Sequence, residues 1–154
     1  MDNFKSLESL ALHLSGLDLS ITEHLHKALE KSAARVAKVA KDEIGSYQTS
    51  IGDFPAWAPL KSATESAKRR AGYEENSPLL ASGEMRDSIQ SKVYGDEAII
   101  FSTDEKMVYH EFGTLNIPAR PVLGPAVLRS GEYIRRAMSQ ALVRGLIGRL
   151  PRGA

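Results

Sequence analysis

The side chains best able to do chemistry in this chain do not assemble into a reactive set. It has four histidines, His13, His24, His26 and His110, and no cysteine. His110-Glu111 begins the His-Glu-x-x-His pattern that puts two zinc ligands on one helix face, but position 114 is a threonine, so the second ligand is missing. His24 and His26 are two residues apart, on different faces of any helix, and cannot share a metal. Ser82-Gly83 comes nearest to a Gly-x-Ser-x-Gly nucleophile turn and lacks its first glycine. Gly145-Leu146-Ile147-Gly148 is too short for a phosphate loop and no lysine follows it. Glu84 and Asp87, three apart, share a helix face, a spacing far commoner on solvated surfaces than in acid–base pairs. A hydrolase built on His110 and Glu111 is the one reaction left to weigh, against the simpler reading of His110 as a residue packed beside a sheet. The expectation is a protein that is not an enzyme, with no metal and no cofactor.

Size and composition narrow the classes. At 154 residues the chain suits one domain, residues 1–154, large enough to bury about 68–70% of its unfolded surface without staples. With 42% hydrophobic and 25% charged residues it does not read as disordered. Lacking cysteine, it has neither disulfides nor thiolate metal sites. No apolar run approaches the roughly 20 residues of a membrane span. The start, Met1-Asp2-Asn3, is unlike a signal peptide, so synthesis in the cytoplasm is expected. The net charge of +1 hides an asymmetry: residues 1–104 carry 12 Lys/Arg against 16 Asp/Glu, and residues 105–154 carry 8 against 3. A basic end on an acidic body fits nucleic acid. It fits equally a head-to-tail contact between copies.

The elements follow from periodicity. Ser20 and Glu23 have capping-box spacing, and Ile21, Leu25, Leu29, Ala33, Val36, Ala40, Ile44 and Tyr47 recur at helical period, predicting a helix over 20–47. Residues 1–19 form an N-terminal segment that reads equally as short helix or strand. Residues 48–83 read as a long excursion punctuated by Gly52, Pro55, Pro59, Gly72, Pro78 and Gly83, with a short helix from Ser62 through Arg70. The lone tryptophan, Trp57, lies inside it, either pinning the loop to the core or anchoring a neighbouring subunit. Ser82 is placed to cap a helical turn through Ser88. Ile89, Ser91 and Val93 alternate with polar neighbours, Gly95-Asp96 makes a tight turn, and Ala98–Ser102 returns as a second strand. Met107–Phe112 starts a helical turn, Val122-Leu123 reads as a strand, and a final helix spans 125–146 with Val127, Leu128, Gly131, Ile134, Met138, Ala141, Leu142 and Gly145 as its apolar face. Residues 147–154 form a basic tail. The expected fold is α+β: a small antiparallel sheet packed by a long N-terminal helix and a C-terminal helix, with a long loop excursion.

Between the last strand and helix lies the stiffest stretch. Pro118, Pro121 and Pro125 lock φ and lack amide donors, and Ile117, Arg120 and Gly124 are pushed toward extended geometry by the prolines after them. The reading is an extended strand or arm held in one shape for something else to meet.

The order of these pieces carries a resemblance. Trp57-Ala58-Pro59-Leu60 with Thr64 and Lys68 comes first, then Pro78-Leu79-Leu80-Ala81-Ser82-Gly83-Glu84-Met85-Arg86-Asp87-Ser88-Ile89 and a hairpin. Tyr109-His110-Glu111-Phe112-Gly113-Thr114 and Ile117-Pro118-Ala119-Arg120-Pro121-Val122-Leu123-Gly124-Pro125-Ala126 complete the series. From about residue 20 to 145 this resembles the tail-completion or neck proteins of tailed double-stranded DNA phages, often called virion morphogenesis or minor tail proteins. The resemblance implies a tail-terminator-like fold and a structural role in the virion. It implies a six-fold homo-oligomeric ring at the head–tail junction, meeting head-completion or connector proteins and tail-tube or tail-terminator proteins, with DNA passing through the lumen. Trp57, Glu111, Phe112, Arg120, Pro121, Arg135, Arg136 and Arg144 are the residues expected at subunit or neighbouring-ring interfaces. Replacing Trp57 or Arg120 by alanine is expected to leave a folded protein that assembles poorly. The alternative is a small nucleic-acid-binding protein using its arginine-rich C-terminal helix.

Overall fold

A computed structural model of the chain describes residues 6–147. Its spine is a single helix, α1 (Leu7–Glu43), longer at its N-terminus than the periodicity indicated. The start signal is Ser6 with Ser9: the Ser9 amide donates to Ser6 Oγ (3.1 Å) and the Ser6 amide to Ser9 Oγ (3.2 Å). Ser20 and Glu23, the predicted box, lie inside the helix; the Ser20 carbonyl bonds the His24 ring (2.8 Å) and Glu23 pairs with Lys27 (2.6 Å). Nothing between Leu7 and Ser20 except Gly16 disfavours a helix, so the reciprocal serine cap sets the boundary. The other end comes at Ile44, which turns to extended geometry (φ −70°, ψ 126°), so Tyr47 lies outside.

Beyond α1 come α2 (Ser62–Arg70), α3 (Glu84–Asp87), β1 (Ile89–Tyr94), β2 (Glu97–Ser102), α4 (Lys106–Phe112), α5 (Leu123–Arg129) and α6 (Gly131–Ile147). Helix α2 has its predicted span, though Lys61 sits at its N-cap without a side-chain bond. The hairpin has the predicted register: Tyr94 opposes Glu97 across Gly95-Asp96, and Ile89 opposes Ser102. Ile89, Ser91 and Val93 turn inward while Gln90, Lys92 and Tyr94 face out. The result is a small α+β arrangement, with a two-stranded antiparallel sheet among the described residues.

The C-terminal region departs from expectation twice. Val122 and Leu123 do not form a strand: Val122 is the N-cap of α5 and Leu123 its first residue. The predicted single helix is broken at Ser130 (φ −87°, ψ −5°), next to Gly131, where both residues are weak helix formers. The break rotates the faces, so that Pro125 and Ala126 are buried while Val127, Leu128 and Leu142 are exposed.

Helix α6 packs antiparallel along α1. Arg35 lies over the Tyr133 ring (5.8 Å) at one end of the pair, and Gly145 meets Ile21 at the other. The core gathers around the second half of α1, where Val36, Ala37, Ala40 and Ile44 pack with Trp57, Met85, Ile89, Met107, Val122 and Ala126. Toward its N-terminus, α1 continues past Ile21 with Leu7, Leu12, Leu14 and Leu19 largely exposed. Residues 1–5 and 148–154, including most of the predicted basic tail with Arg149 and Arg152, lie outside the described residues.

The closest approach in the helix pair sets a size limit. A Cβ at Gly145 would sit 2.7 Å from Ile21 Cα and 3.1 Å from its backbone nitrogen. Gly145→Ala is therefore expected to force α1 and α6 apart and to lower the unfolding free energy in urea by about 1–3 kcal/mol, despite alanine's better helix propensity.

Candidate interaction surfaces and the brace that holds them

The proline stretch is tied down rather than presented as an arm. Helix α4 ends at Gly113, whose φ of 73° and close contacts (a Cβ would lie 2.8 Å from the Ala119 nitrogen) leave room for glycine alone. Thr114 then folds the turn: its amide donates to the Ile117 carbonyl (2.8 Å), and its hydroxyl accepts from the Ile117 amide (3.1 Å). The chain doubles back, and the Arg120 amide donates to the His110 carbonyl (2.7 Å). The Phe-Gly-Thr piece is thus a turn that lays the prolines against α4.

From α4, Glu111 reaches the start of α5. Its carboxylate accepts from the amides of Val122 (2.7 Å), Leu123 (3.1 Å) and Gly124 (3.1 Å). These are the orphan donors of a helix start, where negative charge also meets the positive end of the helix dipole. That carboxylate is fully engaged in capping and is not paired with His110. Burial and the nearby Arg120 guanidinium hold the His110 imidazole below its ordinary pKa.

Two more side chains lock the excursion to the same stretch. The Trp57 indole N–H donates to the Pro121 carbonyl (3.0 Å). The Arg120 guanidinium donates to the carbonyls of Ala58 (3.0 and 2.8 Å) and Pro59 (3.1 Å). Both side chains are 5% exposed, and Pro121 is buried between them. Trp57, Arg120, Pro121 and Glu111 were expected at an interface. Within one copy they brace the chain internally, because the prolines leave carbonyls and amides that side chains satisfy.

Phe112, by contrast, is 79% exposed, and Leu115 in the adjoining turn is fully exposed. Arg135 and Arg136 are exposed and pair with Glu132 in the first turn of α6. Arg136 and Arg144 face α1 across a groove of about 260 Å³ that also holds His24, Lys27 and Lys31. A larger cleft of about 550 Å³ opens between the excursion, α3 and the proline stretch. Leu60, Leu79, Leu80, Met85 and Ile117 make it apolar, and Lys61 and Lys106 stand at its edge. Leu79 adopts φ +61°, which non-glycine residues rarely hold. Sequence reasoning missed this cleft, since its lining comes from three separate segments spanning Ala58 to Arg120. Among the described residues no group of three or more His, Cys, Asp and Glu side chains could hold a metal, and no helix is long and apolar enough to cross a membrane.

Beneath the brace, Arg129 of α5 donates to Glu43 at the end of α1 (2.6 Å) and to the Thr49 carbonyl (2.9 Å). Glu43 is 4% exposed. Burial pushes its carboxyl up to about 7, against the opposing pull of Arg129, and the neighbouring Glu111 adds to the rise.

No known protein family, curated protein or solved structure matches this chain.

The brace and its buried acid give three predictions. Trp57→Phe, which keeps a ring but loses the bond to Pro121, is expected to cost about 1 kcal/mol, and Trp57→Ala about 3–5 kcal/mol. Arg120→Ala leaves two carbonyls without their donor and is expected to cost about 2–4 kcal/mol in urea, with Arg120→Lys recovering little because lysine lacks the fork. For Glu43, the folded pKa of about 7 exceeds the unfolded 4.5, so the folded state binds the extra proton and its contribution falls as pH rises between those values. Glu43→Gln is therefore expected to cost more at pH 5 than at pH 8, by about 2 kcal/mol. His110 titrates in both proteins and cancels in that difference.

Proposed function

We propose that this chain is a structural component of the head–tail joint of a tailed double-stranded DNA phage: a neck, tail-completion or tail-terminator protein forming a six-fold ring. Its partners are then copies of itself, a head-completion or connector protein on one side, and tail-tube or tail-terminator proteins on the other. The observation that carries this reading is the ordered motif series, together with the way its pieces meet. Trp57-Ala58-Pro59, Glu111-Phe112-Gly113-Thr114 and Pro118-Ala119-Arg120-Pro121, up to 64 positions apart, join in one hydrogen-bonded brace. Pieces that recur in a fixed order are expected to form one unit, and these do. The Glu111 carboxylate is taken up by capping α5 and is not paired with His110, whose ring lines the cleft with Nδ1 unpartnered; a histidine parted from its neighbouring acid supports a role without catalysis. Phe112 and Leu115 stand exposed beside the brace, where a rigid edge loses little ordering entropy on contact.

One observation favours the second reading, a small nucleic-acid-binding protein. Lys27, Lys31, Arg136 and Arg144 gather along the groove between α1 and α6. In a ring around DNA these residues would make weak, sequence-blind phosphate contacts, since a tight grip would hinder passage.

Deleting the reading frame from its element and imaging the particles tests the leading reading. Separate DNA-filled heads and unattached tails are expected, and the unfinished end tells which side the protein completes. Normal, joined particles would overturn it. Titrating labelled duplex at low salt tests the second reading: no binding removes it, whereas tight binding reduced severalfold by Arg136→Ala with Arg144→Ala would favour it over the joint.

A further inference from the structure

Two uncovered surfaces lie at opposite ends of one rigid helix. At the first, α1 runs beyond Ile21, where it meets Gly145, for roughly 21 Å; Gly16 is buried and Leu10 and Leu17 are half-buried along one face, and four leucines flanking that face stand exposed. Leu7 is 87% exposed there, Leu12 71%, Leu14 54% and Leu19 68%. Leu7 and Leu14 repeat at seven residues, as do Leu12 and Leu19, and the two pairs are about 140° apart around the axis. A helix apolar on two sides is one that another surface covers. Between Ser6 and Leu19 the chain carries Glu8 and Asp18 and no lysine or arginine, so this overhang is acidic.

At the second surface, the 550 Å³ cleft is lined by Leu79, Leu80 and Met85 together with Lys61 and Lys106, its basic groups outnumbering the one acid, Glu84. Strained backbone at Leu79 is the kind of feature found where a chain is shaped for contact. The cleft lies just past the far end of α1: Leu80 packs at Gly45, and the Gly45 amide donates to the Pro78 carbonyl (2.9 Å). Leu19 and Glu43 stand about 36 Å apart along the uninterrupted helix. The overhang therefore cannot fold back into its own cleft.

We infer that the leucine overhang of one copy seats in the cleft of the next, so that this chain binds itself head to tail. The occupant is a second copy because the chain carries both halves, apolar against apolar and acidic against basic, with a rigid spacer between them. The contact is heterologous, the kind that closes a ring or extends a filament. It rests on the homo-oligomeric part of the proposed function and needs nothing from the head–tail joint.

Two variants test it, each altered at exposed positions so that both keep their fold by circular dichroism. One carries Leu7→Ser, Leu12→Ser, Leu14→Ser and Leu19→Ser; the other carries Lys61→Glu, Ala81→Glu and Lys106→Glu. Sedimentation velocity is expected to show wild-type protein associating beyond dimers as concentration rises, and each variant associating at least about tenfold more weakly. Mixed, the variants are expected to form a 1:1 complex that stops at two copies, because one supplies an intact cleft and the other an intact overhang. Wild-type association by the cleft variant, or no complex in the mixture, would overturn the head-to-tail contact, as would a wild-type protein that stays monomeric at every concentration. None of these outcomes touches the joint itself, which the particle images decide separately.

Discussion

The structure turns on finding partners for backbone groups that a proline-rich stretch strands. Pro118, Pro121 and Pro125 contribute carbonyls but no amides, so residues 118–125 cannot join a regular ladder. Several of these groups draw in a side chain from elsewhere: Glu111 for the amides of 122–124, Trp57 for the Pro121 carbonyl. Arg120 returns the favour by tying down Ala58 and Pro59. The excursion, α4 and α5 are fixed relative to one another by these bonds, and the cleft and the exposed Phe112 edge take their shape from them.

The same economy extends to charge. Glu111 and Arg120, withdrawn from solvent, each make three hydrogen bonds, which makes their charge tolerable, whereas Glu43 has Arg129 at one oxygen and none at the other, and burial raises its carboxyl instead. The charges left outside are arranged differently. The arginines of α6 lie beside α1 rather than on a free basic arm, and some are balanced locally by Glu132. Among the described residues, the arginines of α6 therefore do not stand apart as a separate positive pole.

Local signals were the legible ones. The hairpin was readable to its register because Gly95-Asp96 and the alternation of Ile89, Ser91 and Val93 act within a few residues. Helix α2 was readable for the same reason. The start of α1 was misplaced because Ser20 and Glu23 imitate a cap that Ser6 and Ser9 form. The strand expected at Val122-Leu123 failed because Glu111, eleven positions upstream, caps a helix there. Stiffness in the proline stretch was legible, but the internal bonds that hold it were not: rigidity seen in a sequence does not say which groups of the same chain tie it down. The roles of Trp57 and Arg120 and the large cleft depend on pairings across some 60 residues, for which one sequence holds no signal.

The length of α1 has a consequence for how the protein is made. Its apolar stripe packs on the hairpin, α5 and α6, so that Ile21 finds Gly145 only after more than 120 further positions have been joined. At about 5–20 residues per second, α1 leaves the ribosome roughly 6–25 s before its last packing partner exists. Until the hairpin, and then α5 and α6, are made, a long, half-apolar helix has little of its own chain to lie against. The ordering of contacts makes this a late-folding protein whose vulnerable period is during translation, and whose nascent chains lacking α6 expose the stripe that aggregation seeks.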